Sequence, residues 1–94
     1  MSVPKLVVVP PETAEESPAA RAVKLYAEAR SAAMEQVRVV EDSLAKVIAL
    51  SAEIAEGGDV YPVGVRDLCR RMADDLASRV ATLDALAQRN LGPR

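Results

Sequence analysis

The feature that most constrains this chain is a long stretch, residues 18–56, with no glycine and no proline after its first residue. Alanine, glutamate, arginine, leucine and methionine, all good helix formers, make up a large part of it. Ser17 is suited to cap its free amide groups, Pro18 fits the first helical position, and Gly57 and Gly58 end it. The stretch therefore predicts one helix of roughly 58 Å, far longer than an average globular helix.

A second helix is predicted over residues 62–90, with Pro62 at its first position and Gly92 and Pro93 beyond its end. The connecting segment, residues 57–61, is short, so the two helices should lie antiparallel as a hairpin. The sequence thus predicts an all-α fold in which residues 18–94 form the helical hairpin.

Residues 1–17 are predicted to form a short N-terminal arm, extended or disordered. Leu6 to Val9 is apolar and β-branched, and Pro10 and Pro11 end it. This segment is either a strand shared between two chains of a DNA-binding dimer or a segment that packs on the helices or stays disordered. It is too short for a signal peptide or a membrane span.

Small and apolar side chains follow the first helix at alternating steps of four and three, in the series Ala33, Val37, Val40, Leu44, Val47, Ser51 and Ile54. Flanking apolar residues widen this face to an arc of roughly 160 to 200°. The apolar face of the second helix is narrower, with a spacing near 3.67 residues per turn that predicts nearly straight packing. Because one neighbouring helix covers only a narrow part of such an arc, two hairpins are predicted to pair as a homodimeric four-helix bundle.

The predicted dimer interface follows these faces. Arg30 falls among its apolar residues, where it either meets a carboxylate of the second chain and sets the register or reaches solvent while its stem packs. Arg79 falls inside the apolar face of the second helix and is predicted to pair with Glu35 or Asp42. The interface residues are Val23, Tyr26, Arg30, Ala33, Val37, Val40, Leu44, Val47, Ile54, Met72, Leu76, Val80 and Leu83.

Charge and cysteine content indicate which partners and which cellular compartment to expect. Twelve basic and fourteen acidic residues give a net charge of -2, which argues against a nucleic-acid or anionic-membrane surface. The lone Cys69 cannot form an internal disulfide and so favours a reducing, cytoplasmic location. Nine arginines against three lysines are typical of a GC-rich bacterial genome.

The chain contains no histidine. This excludes the Ser/His and Cys/His nucleophile pairs and the histidine-containing metal sites. Cys69 lies on an apolar face, where an inert core residue is a simpler interpretation than a reactive thiol. We therefore predict no catalytic residue, no cofactor and no metal, although Glu53, Glu56 and Asp59 could meet near a helix end.

These observations predict a non-enzymatic protein–protein interaction module: a small homodimeric regulatory or scaffolding protein. Its partners would be a second copy of itself and another protein, with no membrane. The alternative is a small nucleic-acid-associated regulator that uses Arg66, Arg70 and Arg71, although acidic residues one helical turn away offset their charge.

Overall fold

The computed structural model of this chain describes residues 16–92. They form two long helices, α1 (Pro18–Ala55) and α2 (Val63–Leu91), joined through a short 3₁₀ helix, Gly58–Val60. No strand occurs within this described range. The prediction of an all-helical fold with two long helices is confirmed. The predicted N-terminal arm lies outside the described residues, except for Glu16 and Ser17.

The chain divides between Arg30 and Ser31 into two compact units, and α1 contributes residues to both. In the first unit, the start of α1 is capped by Ser17. The Ala20 amide donates to the Ser17 hydroxyl oxygen at 3.0 Å, and the Arg21 amide donates to the Ser17 carbonyl at 2.9 Å. Lys24 Nζ lies 3.0 Å from Glu16 Oε2. The helix therefore starts where its capping serine and first-position proline predict.

In the second unit, the chain reverses between Ala55 and Val63. Gly58 has a φ of 76°, a left-handed conformation that glycine adopts without strain. Its carbonyl accepts from the Tyr61 amide at 3.1 Å, and the Tyr61 ring lies against Gly57. The turn thus folds back on itself, and the tyrosine ring fills the space beside the first glycine.

The helix–helix contact of the second unit, here called the intrachain interface, is formed by buried and half-buried residues. On both helices these residues alternate at steps of three and four, which is the 3.5-residue repeat of coiled-coil packing. On the side of α2 that packs on α1, the repeat is thus nearer 3.5 residues than the 3.67 predicted for its whole apolar face. The α1 residues are Met34, Val37, Glu41, Leu44, Ile48, Ser51 and Ala55; the α2 residues are Cys69, Ala73, Leu76, Val80, Leu83 and Ala87.

Few side chains in this interface are fully enclosed. Among the described residues, the buried hydrophobic ones are Met34, Ala55, Ala73 and Ala87, and none has less than 2% of its surface exposed. Alanine contributes little apolar area, since burial stabilises by roughly 25 cal/mol per Å². The two helices of the second unit therefore form a thin core by themselves.

Candidate functional site

Two cross-helix contacts show which sides of α1 and α2 are neighbours in the second unit. An Arg70 terminal guanidinium nitrogen donates to the Ala55 carbonyl at 3.0 Å, and the Asp84 carboxylate lies close enough to Glu41 to raise the pKa of Glu41. Glu41 and Ala55 are two heptads apart on α1, as are Arg70 and Asp84 on α2, so each pair lies on one lengthwise column. The Arg70–Asp84 column therefore lies beside the Glu41–Ala55 column, on one side of the intrachain interface.

The opposite side of the intrachain interface carries two apolar columns, which we call the open face. Each residue of these columns comes one position before a residue of a buried column on the same helix. At 100° of rotation per residue, this offset places both columns on the side of the interface turned away from the Arg70–Asp84 column. Since the helices are antiparallel, the two columns are neighbours. On α1 they are Ala33, Val40, Val47 and Ile54; on α2 they are Val65, Met72, Arg79 and Leu86.

Most side chains of the open face remain substantially exposed, whereas Ala33 and Ile54 are half-buried. Val40 is 44% exposed, Val47 and Met72 are 40% exposed, and Leu86 is 45% exposed. Exposed apolar residues are common when scattered singly, but here they form a contiguous surface on two adjacent helices. The open face therefore has the character of an interaction surface.

The structure separates the predicted interface residues into three sets. Val37, Leu44, Leu76, Val80 and Leu83 lie in the intrachain interface, where they contribute to the contact between α1 and α2. The open face contains Ala33, Val40, Val47, Ile54 and Met72. Val23, Tyr26 and Arg30 belong to the first unit.

Arg30 interacts with an aromatic side chain of its own helix. A terminal nitrogen of its guanidinium donates to the Tyr26 hydroxyl at 3.3 Å, and its central carbon lies 5.5 Å from the centre of the Tyr26 ring. This geometry is a cation–π contact one helical turn apart. A role for Arg30 in oligomer register stays a prediction.

Arg79, the charged residue of the open face, has a partner other than the one expected. Its Nε donates to Asp75 Oδ2 at 2.9 Å, one turn earlier on α2. The prediction that Arg79 pairs with Glu35 or Asp42 is wrong. Because Arg79 lies on the side of α2 turned toward solvent, a carboxylate of the same helix is nearer than those of α1.

The three arginines of the alternative nucleic-acid-binding hypothesis all have acceptors within the chain. Arg66 Nε donates to the Tyr61 carbonyl at 3.1 Å, and Arg71 lies 3.1 Å from Asp67. Arg70 binds the Ala55 carbonyl, one of the acceptors that a helix leaves free at its C-terminus. Arg66 and Arg70 thereby hold the turn against the ends of both helices, a role that the basic pattern alone did not reveal.

Arg70→Ala should lower the free energy of unfolding by about 1 to 2 kcal/mol, because it removes a charged hydrogen bond at a helix end. Arg71→Ala is the matched control, since it removes the same charge from an exposed ion pair that contributes at most about 0.5 kcal/mol. Urea unfolding of both variants measures the difference. Equal losses in the two variants would contradict the role of Arg70 in holding the turn.

Glu41 is an acidic side chain within the intrachain interface. Burial raises its pKa above the ordinary value of 4.5, as do the nearby Asp84 and Asp42 carboxylates, while Arg38 lowers the pKa. Its Oε2 atom is buried without a hydrogen-bond partner among the described residues. The fold therefore favours the protonated form of Glu41.

Residues 16–92 offer few groups for other chemistry. Cys69 is a free, half-buried thiol of the intrachain interface. In this part of the chain, no group of three or more histidine, cysteine or acidic side chains is placed to hold a metal ion. Neither α1 nor α2 has the continuous apolar length that a membrane crossing requires.

No family model, curated protein or solved structure matches this chain.

Proposed function

We propose that this protein is a non-enzymatic interaction module that works as a homodimeric four-helix bundle. The observation that carries the proposal is the contrast between a thin intrachain core and an open apolar face beside it. Among residues 16–92 the enclosed hydrophobic residues are one methionine and three alanines, so the hairpin gains little from burial. Pairing with a second hairpin would supply the missing core.

The charged groups of α2 support a structural role rather than a catalytic one. Asp67 and Asp75 pair with arginines of the same helix, and Arg66 and Arg70 bind backbone carbonyls at the turn. The chain also contains no histidine, the commonest acid–base catalyst. We accordingly assign no catalytic residue, metal or cofactor to this proposal.

The dimer would act by presenting the outer surfaces of its helices to another protein, in a regulatory or scaffolding role. Those surfaces carry mixed charges that are paired at short range, which suits a protein partner better than a polyanion. The single cysteine supports a cytoplasmic location, because it leaves no internal disulfide to form.

Light scattering combined with thermal unfolding tests the dimer. At micromolar concentration we expect twice the chain mass of 10.0 kDa. The unfolding temperature should rise with protein concentration, since dimerisation stabilises by mass action. A cooperatively folded monomer, with an unfolding temperature independent of concentration, would refute the proposal.

A further inference from the structure

The two sides of the intrachain interface differ in chemistry. One side carries the Arg70–Asp84 column with Ala77 between them, together with Arg38 and Ala45 on α1. Its residues are charged or small. The open face, on the other side, carries branched and long aliphatic side chains that remain 40 to 45% exposed at Val40, Val47, Met72 and Leu86. A partner that requires an apolar surface would therefore meet only one side of the hairpin.

We propose that a second copy of this chain packs on the open face, so that the dimer interface lies on this one side and leaves the opposite side in solvent. The inference rests on the proposed homodimer and specifies its surface. The proposed dimer interface is smaller than the one predicted from the sequence, which included residues on more than one side of each helix.

The size of the open face agrees with a dimer contact. From Ala33 to Ile54 it extends about 30 Å along α1. Two adjacent helices with their side chains are about 20 Å wide, so a second hairpin would cover a footprint of about 600 Å². That equals the lower end of the range of about 600 to 1,000 Å² that each partner buries in a specific complex.

Charge also favours a second copy over a partner of different chemistry. Arg79 is the charged residue of the open face, and the Asp75 carboxylate already lies 2.9 Å from its Nε. The face therefore presents no uncompensated charge for an oppositely charged partner to match. In a twofold interface each copy offers the same apolar surface to the other, which makes the contact self-complementary.

Val40→Glu tests the proposal, with Val39→Glu as its matched control. The two residues are neighbours on α1 and have the same side chain, but Val39 is 63% exposed on the surface opposite the intrachain interface. Because each copy carries the change, Val40→Glu would bury two unpaired carboxylates. We expect the dimer dissociation constant, measured by analytical ultracentrifugation, to rise at least about 100-fold for Val40→Glu and less than about 3-fold for Val39→Glu.

Wild-type protein gives a second measurement that does not depend on variant folding. In dimers mixed from isotope-labelled and unlabelled chains, NMR contacts between chains should arise from the methyl groups of Val40, Val47 and Met72. Contacts between chains that arise instead from Val39 and Leu50 would overturn the inference. A dimer that tolerates Val40→Glu would do the same, although the proposed homodimer would stand. A monomeric wild-type protein would refute the proposed function itself.

Discussion

Leu44→Ala is expected to lower the free energy of unfolding by roughly 2 to 5 kcal/mol in the proposed dimer, where the second copy would complete the burial of Leu44. Leu44 is half-buried at the centre of the intrachain interface, on the side next to the open face. Shortening its side chain removes apolar contact area and leaves a cavity that rigid neighbouring helices fill only in part. Denaturant unfolding of the wild-type protein and the variant at the same protein concentration measures the loss. The comparison is valid if the free energy of unfolding depends on denaturant concentration with the same slope in both proteins.

Leu50→Ala is the matched control for this prediction. The substitution is chemically identical and lies on the same helix, but Leu50 is 60% exposed on the outer surface. We expect a change within about 0.5 kcal/mol. If the two variants lose the same stability, Leu44 is not central to the core and the assigned helix register is wrong.

Glu41→Gln is expected to stabilise the protein near neutral pH and to leave its stability unchanged in mild acid. The pKa of Glu41 is raised in the folded state by burial and by Asp84. Folding therefore favours the protonated carboxyl, and this contribution is fully present below the unfolded pKa, near the ordinary value of 4.5. It is lost as the pH rises through the higher folded pKa. Glutamine remains neutral and so retains the contribution at pH 7.

Urea unfolding of the wild-type protein and the variant at pH 4 and pH 7 measures this difference. Glu53→Gln, which removes a carboxylate from the exposed surface of the same helix, serves as the reference for a simple change in net charge. A Glu41→Gln variant that is less stable than the wild-type protein at pH 7 would contradict the prediction. So would a difference from the wild-type protein that is the same at both pH values.

The sequence was sufficient to predict the two long helices, because their ends carry local signals. Ser17 and Pro18 mark the start of α1, and the left-handed Gly58 follows its end. Such signals act within a few residues and need no knowledge of tertiary contacts. The segment between the helices is longer than predicted, since α1 ends at Ala55 and α2 starts at Val63.

The sequence could not determine which part of the broad apolar arc of α1 contacts α2. The predicted face and the intrachain interface share Val37, Leu44 and Ser51. The predicted face also included Val40 and its column, whereas the structure uses the column of Glu41. Polarity alone kept a glutamate out of the predicted face. Its enclosure next to Asp84 depends on tertiary packing, which periodicity does not report.

The role of Arg66 and Arg70 in holding the turn also could not be predicted from the sequence. The clustered arginines left nucleic-acid binding open as an alternative, but Arg66 and Arg70 bind the backbone carbonyls of Tyr61 and Ala55. Backbone acceptors have no sequence signature, and their position depends on how the second helix returns along the first. A carboxylate one turn away, as for Arg71 and Asp67, is the kind of partner that spacing does predict.

The bond from Arg70 to the Ala55 carbonyl has a consequence for how the hairpin assembles. It joins residues only 15 positions apart, so closing that loop costs little chain entropy. Contacts of such short range form early in folding, whereas those near Met34 and Ala87 must enclose a much longer loop. The helices should therefore zip together from the turn outward, and thermal fraying should start at the far end, where hydrogen exchange would be fastest.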